Sequence, residues 1–288
     1  MCDLVRLGIL KIFDVHTHVF PDKIAVRALQ HLQEKSHGIP IYSDGSRADQ
    51  LRHALETGYT GMLNCPVVTN SKQMQSVNDW VASWNAWPYL SFGGIYPEGE
   101  NILEEIKRIQ ELGLLGIKFH PEYQEFGVLE KRMEKIWQAC ESLGLPVLVH
   151  AGKDIGFPEP AHSSPADFAE LARRHPGLNV ICAHMGGWRN WDQVERDLAG
   201  HPVYLDTSFS LPYMTNQAQF KRLILQHGID RVLFGTDSPW QNLQTAVNEI
   251  LLLGLSQQDQ EKILWGNAAR LLHLDTYAGS VINRHDQG

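Results

Sequence analysis

Short apolar runs rich in β-branched residues alternate along the whole chain with longer amphipathic stretches. Such alternation is typical of βα units and indicates a parallel sheet with helices on its faces. We predict eight strands: Lys11–Val15, Thr60–Pro66, Leu90–Tyr96, Leu114–His120, Pro146–His150, Asn179–His184, Pro202–Asp206 and Arg231–Asp237.

The intervening stretches have recognisable helix ends. Ser164 followed by Pro165 and Asp167 is a helix start, and Gly113 and Gly144 stand where left-handed C-caps end helices. Eight such units in 288 residues predict one α/β domain over residues 1–288, a (β/α)₈ TIM barrel. The alternative is a doubly wound open sheet, although no GxGxxG turn follows the first strand.

Composition excludes several classes of partner. A net charge of −8 argues against nucleic acid, and no apolar run reaches the roughly 20 residues that span a bilayer. The N-terminus lacks the apolar segment of a signal peptide. Cys2, Cys65, Cys140 and Cys182 form no CxxC and are expected to be free thiols. We therefore expect a cytoplasmic protein that acts on a small molecule.

Polar side chains recur at the predicted strand ends, where a parallel barrel collects its βα loops. Five of the fourteen histidines and one aspartate lie there: His16, His18, His120, His150, His184 and Asp237. Barrel closure would bring them together, so this pattern predicts a site at the C-terminal mouth.

The spacing of His16 and His18 suits one bound ion. Residues i and i+2 of a strand point the same way, so both imidazoles can face the same metal. Further imidazoles and the carboxylate of Asp237 would complete a site of the kind zinc accepts, with a position open for water. The metal would lower the pKa of that water toward about 7. Manganese or iron would also suit these ligands.

Four further residues are candidates for contact with substrate. Lys118 could hold a substrate carboxylate, bridge two metals as a carbamate, or simply reach solvent at the rim. His120 could bind substrate or metal, or cap the loop that follows it. Trp188 and Trp240 could line an aromatic pocket or pack in the core.

The chain resembles the amidohydrolase superfamily, and within it amidohydrolase family 2, the relatives of aminocarboxymuconate-semialdehyde decarboxylase. The matching motifs are DVHTHVFP (14–21), GIKFHPEYQ (116–124), VLVHAG (147–152), CAHMGG (182–187), LFGTDSPW (233–240) and ILWGNAARLL (263–272). The resemblance implies a TIM barrel of the metal-dependent hydrolase type. It also implies one metal, usually zinc, on His16, His18, His150 and Asp237, and a catalytic role for His184. It implies no bridging carbamate at Lys118, and pairing into a homodimer with no interface indicated.

Three functions agree with these features. The leading one is hydrolysis of a small amide, ester or lactone, in which Asp237 relays the proton of an activated water and His184 stabilises the oxyanion. The second is metal-dependent, non-oxidative decarboxylation of an aromatic or muconate-like acid, which cationic Lys118 or Arg189 near the mouth would support. The third is a catalytically inactive barrel that binds a metabolite.

Overall fold

The predicted apolar runs form short parallel strands in the computed structural model, which describes residues 10–277. Every ladder between neighbouring strands is parallel. The strands are β1 (Phe13–Thr17), β2 (Gly61–Asn64), β3 (Tyr89–Ser91), β4 (Gly93–Gly94), β5 (Ile117–Phe119), β6 (Val147–Val149), β7 (Val180–Cys182), β8 (Tyr204–Asp206) and β9 (Val232–Leu233).

Backbone hydrogen bonds close these strands into a barrel. One ladder runs β1-β2-β3 and the other β4-β5-β6-β7-β8-β9. The Phe92 N–H, between β3 and β4, donates to the Asn64 carbonyl at 3.0 Å, so the predicted third strand is one strand interrupted at this residue. On the other side the Val15 N–H donates to the Phe234 carbonyl at 2.9 Å and joins β1 to the end of β9. The (β/α)₈ barrel is therefore confirmed, and the open doubly wound sheet is wrong.

Helices follow the strands and pack outside them. The predicted start at Ser164 is confirmed: its side chain accepts the Asp167 N–H, and the Asp167 carboxylate accepts the Ser164 N–H. Gly144 ends its helix in the left-handed conformation at φ +66. The helices are α1 (Ala25–Lys35), α2 (Arg47–Glu56), α3 (Met74–Ala82), α4 (Ile102–Glu111), α5 (Pro121–Gln124), α6 (Glu134–Leu143), α7 (Pro165–Arg174), α8 (Trp191–Asp197), α9 (Gln217–His227), α10 (Leu243–Leu251), α11 (Gln257–Glu261) and α12 (Asn267–Leu272).

The apolar core has two layers because alternate strand residues face opposite sides of the sheet. Val147 and Val149 of β6 belong to the larger cluster, which includes Trp137 of α6. Leu148, between these two valines, belongs to a smaller cluster inside the barrel, to which α12 contributes Leu272. Both layers consist of buried apolar side chains. The groups able to take part in a reaction are therefore the polar side chains at the strand ends.

The remaining expectations from composition concern membranes and thiols. Across residues 10–277 no helix is long and apolar enough to cross a membrane. Cys65, Cys140 and Cys182 are free and buried, as predicted, and Cys2 lies outside the described residues.

Gly152 joins the segment after β6 to the segment after β7, and its substitution tests that junction. Its φ is +89, and an added Cβ would lie 2.2 Å from the backbone nitrogen of Trp188. Because backbone cannot move aside cheaply, Gly152→Ala is expected to lower the free energy of unfolding by about 3 kcal/mol or more. Gly113→Ala is the matched control, with φ +71 but no atom within 4 Å of its Cβ; it should lose about 1–2 kcal/mol from backbone strain alone. Urea unfolding would measure both, and equal losses would contradict the steric argument.

Candidate active site at the barrel mouth

A β-bulge at the end of β1 places the first histidine. Phe13 pairs with Gly61 and Asp14 with Met62, but the next paired residue is Thr17, opposite Asn64. One extra residue therefore lies in β1, and such a bulge re-aims the side chains that follow it. His16 is consequently buried, 1% exposed, and turned toward carboxylates from β8 and from the segment after β9.

His16, His18 and Asp237 converge on one point. Asp237 Oδ1 lies 2.9 Å from His18 Nε2 and 3.5 Å from His16 Nε2. One nitrogen or oxygen from each residue lies within 4.8 Å of the others, close enough for all three to reach a common ion. Two imidazoles and a carboxylate are also the donor set that zinc, manganese and iron accept. The residues present therefore fit a divalent metal.

The backbone holds Asp237 in an uncommon conformation. Its φ is +60, in the left-handed region, and its N–H donates to the His16 carbonyl at 2.7 Å. Burial would raise the pKa of the Asp237 carboxyl, but the His18 hydrogen bond and the imidazole of His16 outweigh burial. These contacts hold the pKa well below its usual range. Asp237 is therefore a carboxylate at neutral pH.

Asp14 fastens the strand ends that carry these ligands. It is fully buried, and its Oδ1 accepts the N–H groups of His16 at 3.0 Å and Thr236 at 3.1 Å. The Thr236 hydroxyl donates to Oδ2 at 2.6 Å. Burial is the largest influence on this carboxyl and raises its pKa to about 8. Asp14 thus ties the end of β1 to the residue before Asp237.

Lys118 of β5 lies inside the site. It is 1% exposed, and its Nζ lies 2.9 Å from His16 Nε2. Burial lowers the pKa of its ammonium, because a charged group loses hydration there. The alternative of a lysine reaching solvent at the rim is therefore wrong.

His150, the fourth ligand implied by the resemblance, does not join the other three in this structure. Its Nδ1 lies 3.1 Å from His184 Nε2, and its Nε2 lies 3.2 Å from the Lys153 carbonyl. The trio of potential donors that contains His150 instead includes His120 and Asp154. His184 lies between His150 and His16, with the His16 ring centroid 5.2 Å away.

His120 packs against this second group rather than capping its loop. Its ring stacks on His150 with centroids 4.1 Å apart and planes inclined by 11°. Its Nε2 lies 3.4 Å from Asp154 Oδ2, and its side chain makes no cap hydrogen bond to α5. His120 is thus placed beside the predicted ligand His150.

The two tryptophans lie near the site in different ways. Trp188 is 3% exposed, donates from Nε1 to the Phe209 carbonyl at 3.1 Å, and carries the Arg189 guanidinium 4.3 Å above its ring. Trp240 is half-buried, and its backbone N–H donates to the Asp237 carbonyl at 3.0 Å. Trp188 therefore packs mainly within the wall of the mouth, and Trp240 helps fix the turn that carries Asp237.

Sequence reasoning missed Asp206, a buried carboxylate at the end of β8. Its Oδ2 lies 2.9 Å from His16 Nδ1, on the opposite side of the ring from Asp237. The signal was present, because Asp206 is the last residue of the seventh predicted strand. The strand-end rule that selected His150 and His184 selects Asp206 as well.

A closed βα barrel with imidazoles and carboxylates gathered at the C-terminal ends of its strands has the arrangement of a barrel enzyme. The amidohydrolase family profile matches residues 13–274, and the chain belongs to this family.

Two curated relatives are decarboxylases. A gamma-resorcylate decarboxylase from Polaromonas sp. (strain JS666 / ATCC BAA-500) is 30% identical over 121 residues, which are 36% of this chain and 37% of the relative. The match therefore spans little more than a third of that relative's length. A 2-amino-3-carboxymuconate-6-semialdehyde decarboxylase from Dictyostelium discoideum is 24% identical over 238 residues, 70% of this chain and 66% of the relative.

Solved structures share the fold. An uncharacterized TIM-barrel protein from Bordetella bronchiseptica superposes with a TM-score of 0.72 at 21% identity, covering 92% of this chain and 99% of that one. A dihydroxybenzoic acid decarboxylase from Polaromonas sp. JS666, with bound manganese and the inhibitor 2-nitroresorcinol, gives a TM-score of 0.66 at 20% identity, covering 92% and 98%. Among the functions expected from sequence, the two curated relatives favour decarboxylation over hydrolysis.

Proposed function

We propose that this protein is a metal-dependent, non-oxidative decarboxylase of a small aromatic or muconate-like carboxylic acid. The observation that carries the proposal is the buried ammonium of Lys118 beside the His16, His18 and Asp237 cluster. A cation in a water-poor site favours an anionic substrate there, because the charge pair is weakly screened. The decarboxylase relatives support the same reaction.

His16, His18 and Asp237 would hold the ion, and His150 would join them through a turn of its ring. The bound ion would act as a Lewis acid toward oxygen atoms of the substrate. Zinc is the metal expected from sequence, and manganese and iron are equally candidates because imidazole and carboxylate ligands suit all three.

The reaction replaces the carboxylate by a proton. The carbon–carbon bond to the carboxylate breaks, its electron pair stays on the substrate carbon, and that carbon takes up one proton as carbon dioxide leaves. Because Asp237 is a carboxylate at neutral pH, it would first take up a proton from solvent and then pass that proton to the substrate carbon. Lys118 would hold the substrate anion in place.

His184 would orient the reacting group. Its Nδ1 lies 3.1 Å from the Ser208 carbonyl oxygen. Because a carbonyl oxygen can only accept a hydrogen bond, Nδ1 carries the proton of the ring. The ring therefore presents Nε2 toward His150 and the mouth. The walls of the mouth carry aromatic side chains. Among them are Trp188 and Tyr213, whose ring centroids lie 5.7 Å apart. Such walls suit a flat, conjugated acid.

Isotope labelling distinguishes this reaction from the hydrolysis that we expected first from sequence. With hydroxybenzoates and muconate-like acids carrying carbon-13 in the carboxyl group, we expect labelled carbon dioxide. In heavy water, one deuterium should appear at the carbon that lost the carboxylate. Mass spectrometry and proton NMR would measure both.

Other outcomes would point elsewhere. Products of amides, esters or lactones that gain one oxygen-18 from labelled water, without release of carbon dioxide, would contradict decarboxylation and restore hydrolysis. Thermal stabilisation by these acids without turnover in the metal-loaded protein would favour a binding protein.

A further inference from the structure

Asp206 gathers four hydrogen-bond donors around one buried carboxylate. Its Oδ1 accepts the backbone N–H groups of His184 and Ser208, each at 3.0 Å, and the Ser208 hydroxyl. Its Oδ2 faces His16 Nδ1 at 2.9 Å. The residue is fully buried, so these protein groups replace all of its hydration. One side chain of β8 therefore contacts His16 of β1 and His184, which follows β7.

This arrangement fixes which nitrogen of His16 carries the proton. A neutral imidazole has one donor and one acceptor nitrogen, and a carboxylate can only accept. Nδ1 must therefore hold the proton that faces Asp206. Lys118 Nζ, 2.9 Å from Nε2, is consistent with the same tautomer, because an ammonium can only donate. Nε2 is thus the unprotonated nitrogen of the ring: it can accept from Lys118, and it is the nitrogen available to a metal shared with Asp237 and His18.

We propose that Asp206 is the positioning residue of the metal site: it holds His16 in the Nδ1–H tautomer and ties that ring to the backbone of His184. A metal binds only an unprotonated ring nitrogen, and a carboxylate on the opposite nitrogen sets the tautomer and raises the basicity of the ligand. The inference takes one thing from the proposed function, the presence of a bound metal. The state of the His16 ring is independent of the reaction.

Asp206→Asn tests this assignment because its geometry dictates the outcome. The amide oxygen must stay on the Oδ1 side, where it accepts three donors, since the opposite orientation would set an NH₂ group against two backbone N–H groups. The NH₂ group then faces His16 Nδ1 and drives the ring to the Nε2–H tautomer. We expect the affinity for Zn²⁺, measured by competition with a chromophoric chelator, to fall by about 10–100-fold.

Long-range ¹H–¹⁵N correlation spectra of the metal-free protein report the tautomer directly, with His16 assigned by His16→Ala. Glu105→Gln is the matched control. It removes a buried carboxylate of α4 that Asn78 and Arg108 contact at 2.7 and 3.1 Å, and it should keep the wild-type affinity and tautomer.

Two results would overturn the proposal. One is a His16 that carries its proton on Nε2 in the wild-type protein, which can be read even if Asp206→Asn does not fold. The other is a folded Asp206→Asn protein that binds Zn²⁺ as the wild type does. A changed tautomer in a protein that decarboxylates nothing would leave Asp206 as assigned and contradict only the reaction.

Discussion

Asp237→Asn is expected to lower kcat/KM for decarboxylation by about 10²–10⁴-fold, the usual contribution of a positioned acid–base group. The amide can neither carry the transferred proton nor supply a charged ligand beside His16 and His18. The backbone should be unaffected, because asparagine tolerates the left-handed φ of +60 about as well as aspartate does. Steady-state kinetics on the best substrate of the labelling experiment, with metal content measured on the same sample, would check this.

Asp230→Asn is the matched control at the opposite end of β9. Asp230 is 66% exposed and pairs with Lys262 at 2.8 Å, on the face where barrel residues act in stability rather than chemistry. Losing that exposed ion pair should change the free energy of unfolding by less than about 1 kcal/mol and leave kcat/KM as it was. If Asp237→Asn retained near-full activity, the role assigned to Asp237 would be wrong.

Local patterns predicted the barrel because each βα unit carries its own signals. Ser164 begins a helix through hydrogen bonds to residues within four positions of it. The valines of β6 indicate a strand buried on both faces. The break at Phe92 was not predictable. An added Cβ at the next residue, Gly93, would lie 2.8 Å from Ile109 of α4, a contact set by the packing of a helix elsewhere in the chain.

The candidate site likewise contains residues that could be predicted from the sequence and residues that could not. His16, His18 and Asp237 could be selected because strand ends in a parallel barrel share one face, and the structure brings these three together. Asp14 and Asp206 act through hydrogen bonds to residues 222 and 190 positions away. No local pattern encodes such partners. The ring orientation of His150 also depends on its neighbours, since His184 occupies one nitrogen and the Lys153 carbonyl the other.

The double variant His16→Ala/His18→Ala is expected to lose the metal. Purified without chelator or added metal, the wild-type protein should contain about one equivalent of a divalent metal, and the double variant almost none. Removing both imidazoles leaves Asp237 as the one member of the converging trio, and a carboxylate joined by at most His150 supplies too few ligands to retain a transition metal through purification. Elemental analysis by mass spectrometry would measure the stoichiometry and identify zinc, manganese or iron.

His201→Ala is the control, because this exposed histidine precedes β8 at the other end of the barrel and should not alter metal content. Near two equivalents in the wild type would contradict a single-metal site and point to Lys118, already 2.9 Å from His16 Nε2, as a bridging carbamate. No metal even after reconstitution would contradict the metal-dependent mechanism. Chemistry would then rest on Asp237, Lys118 and His184 alone, and Asp237→Asn would remain the variant that separates a catalyst from a binding protein.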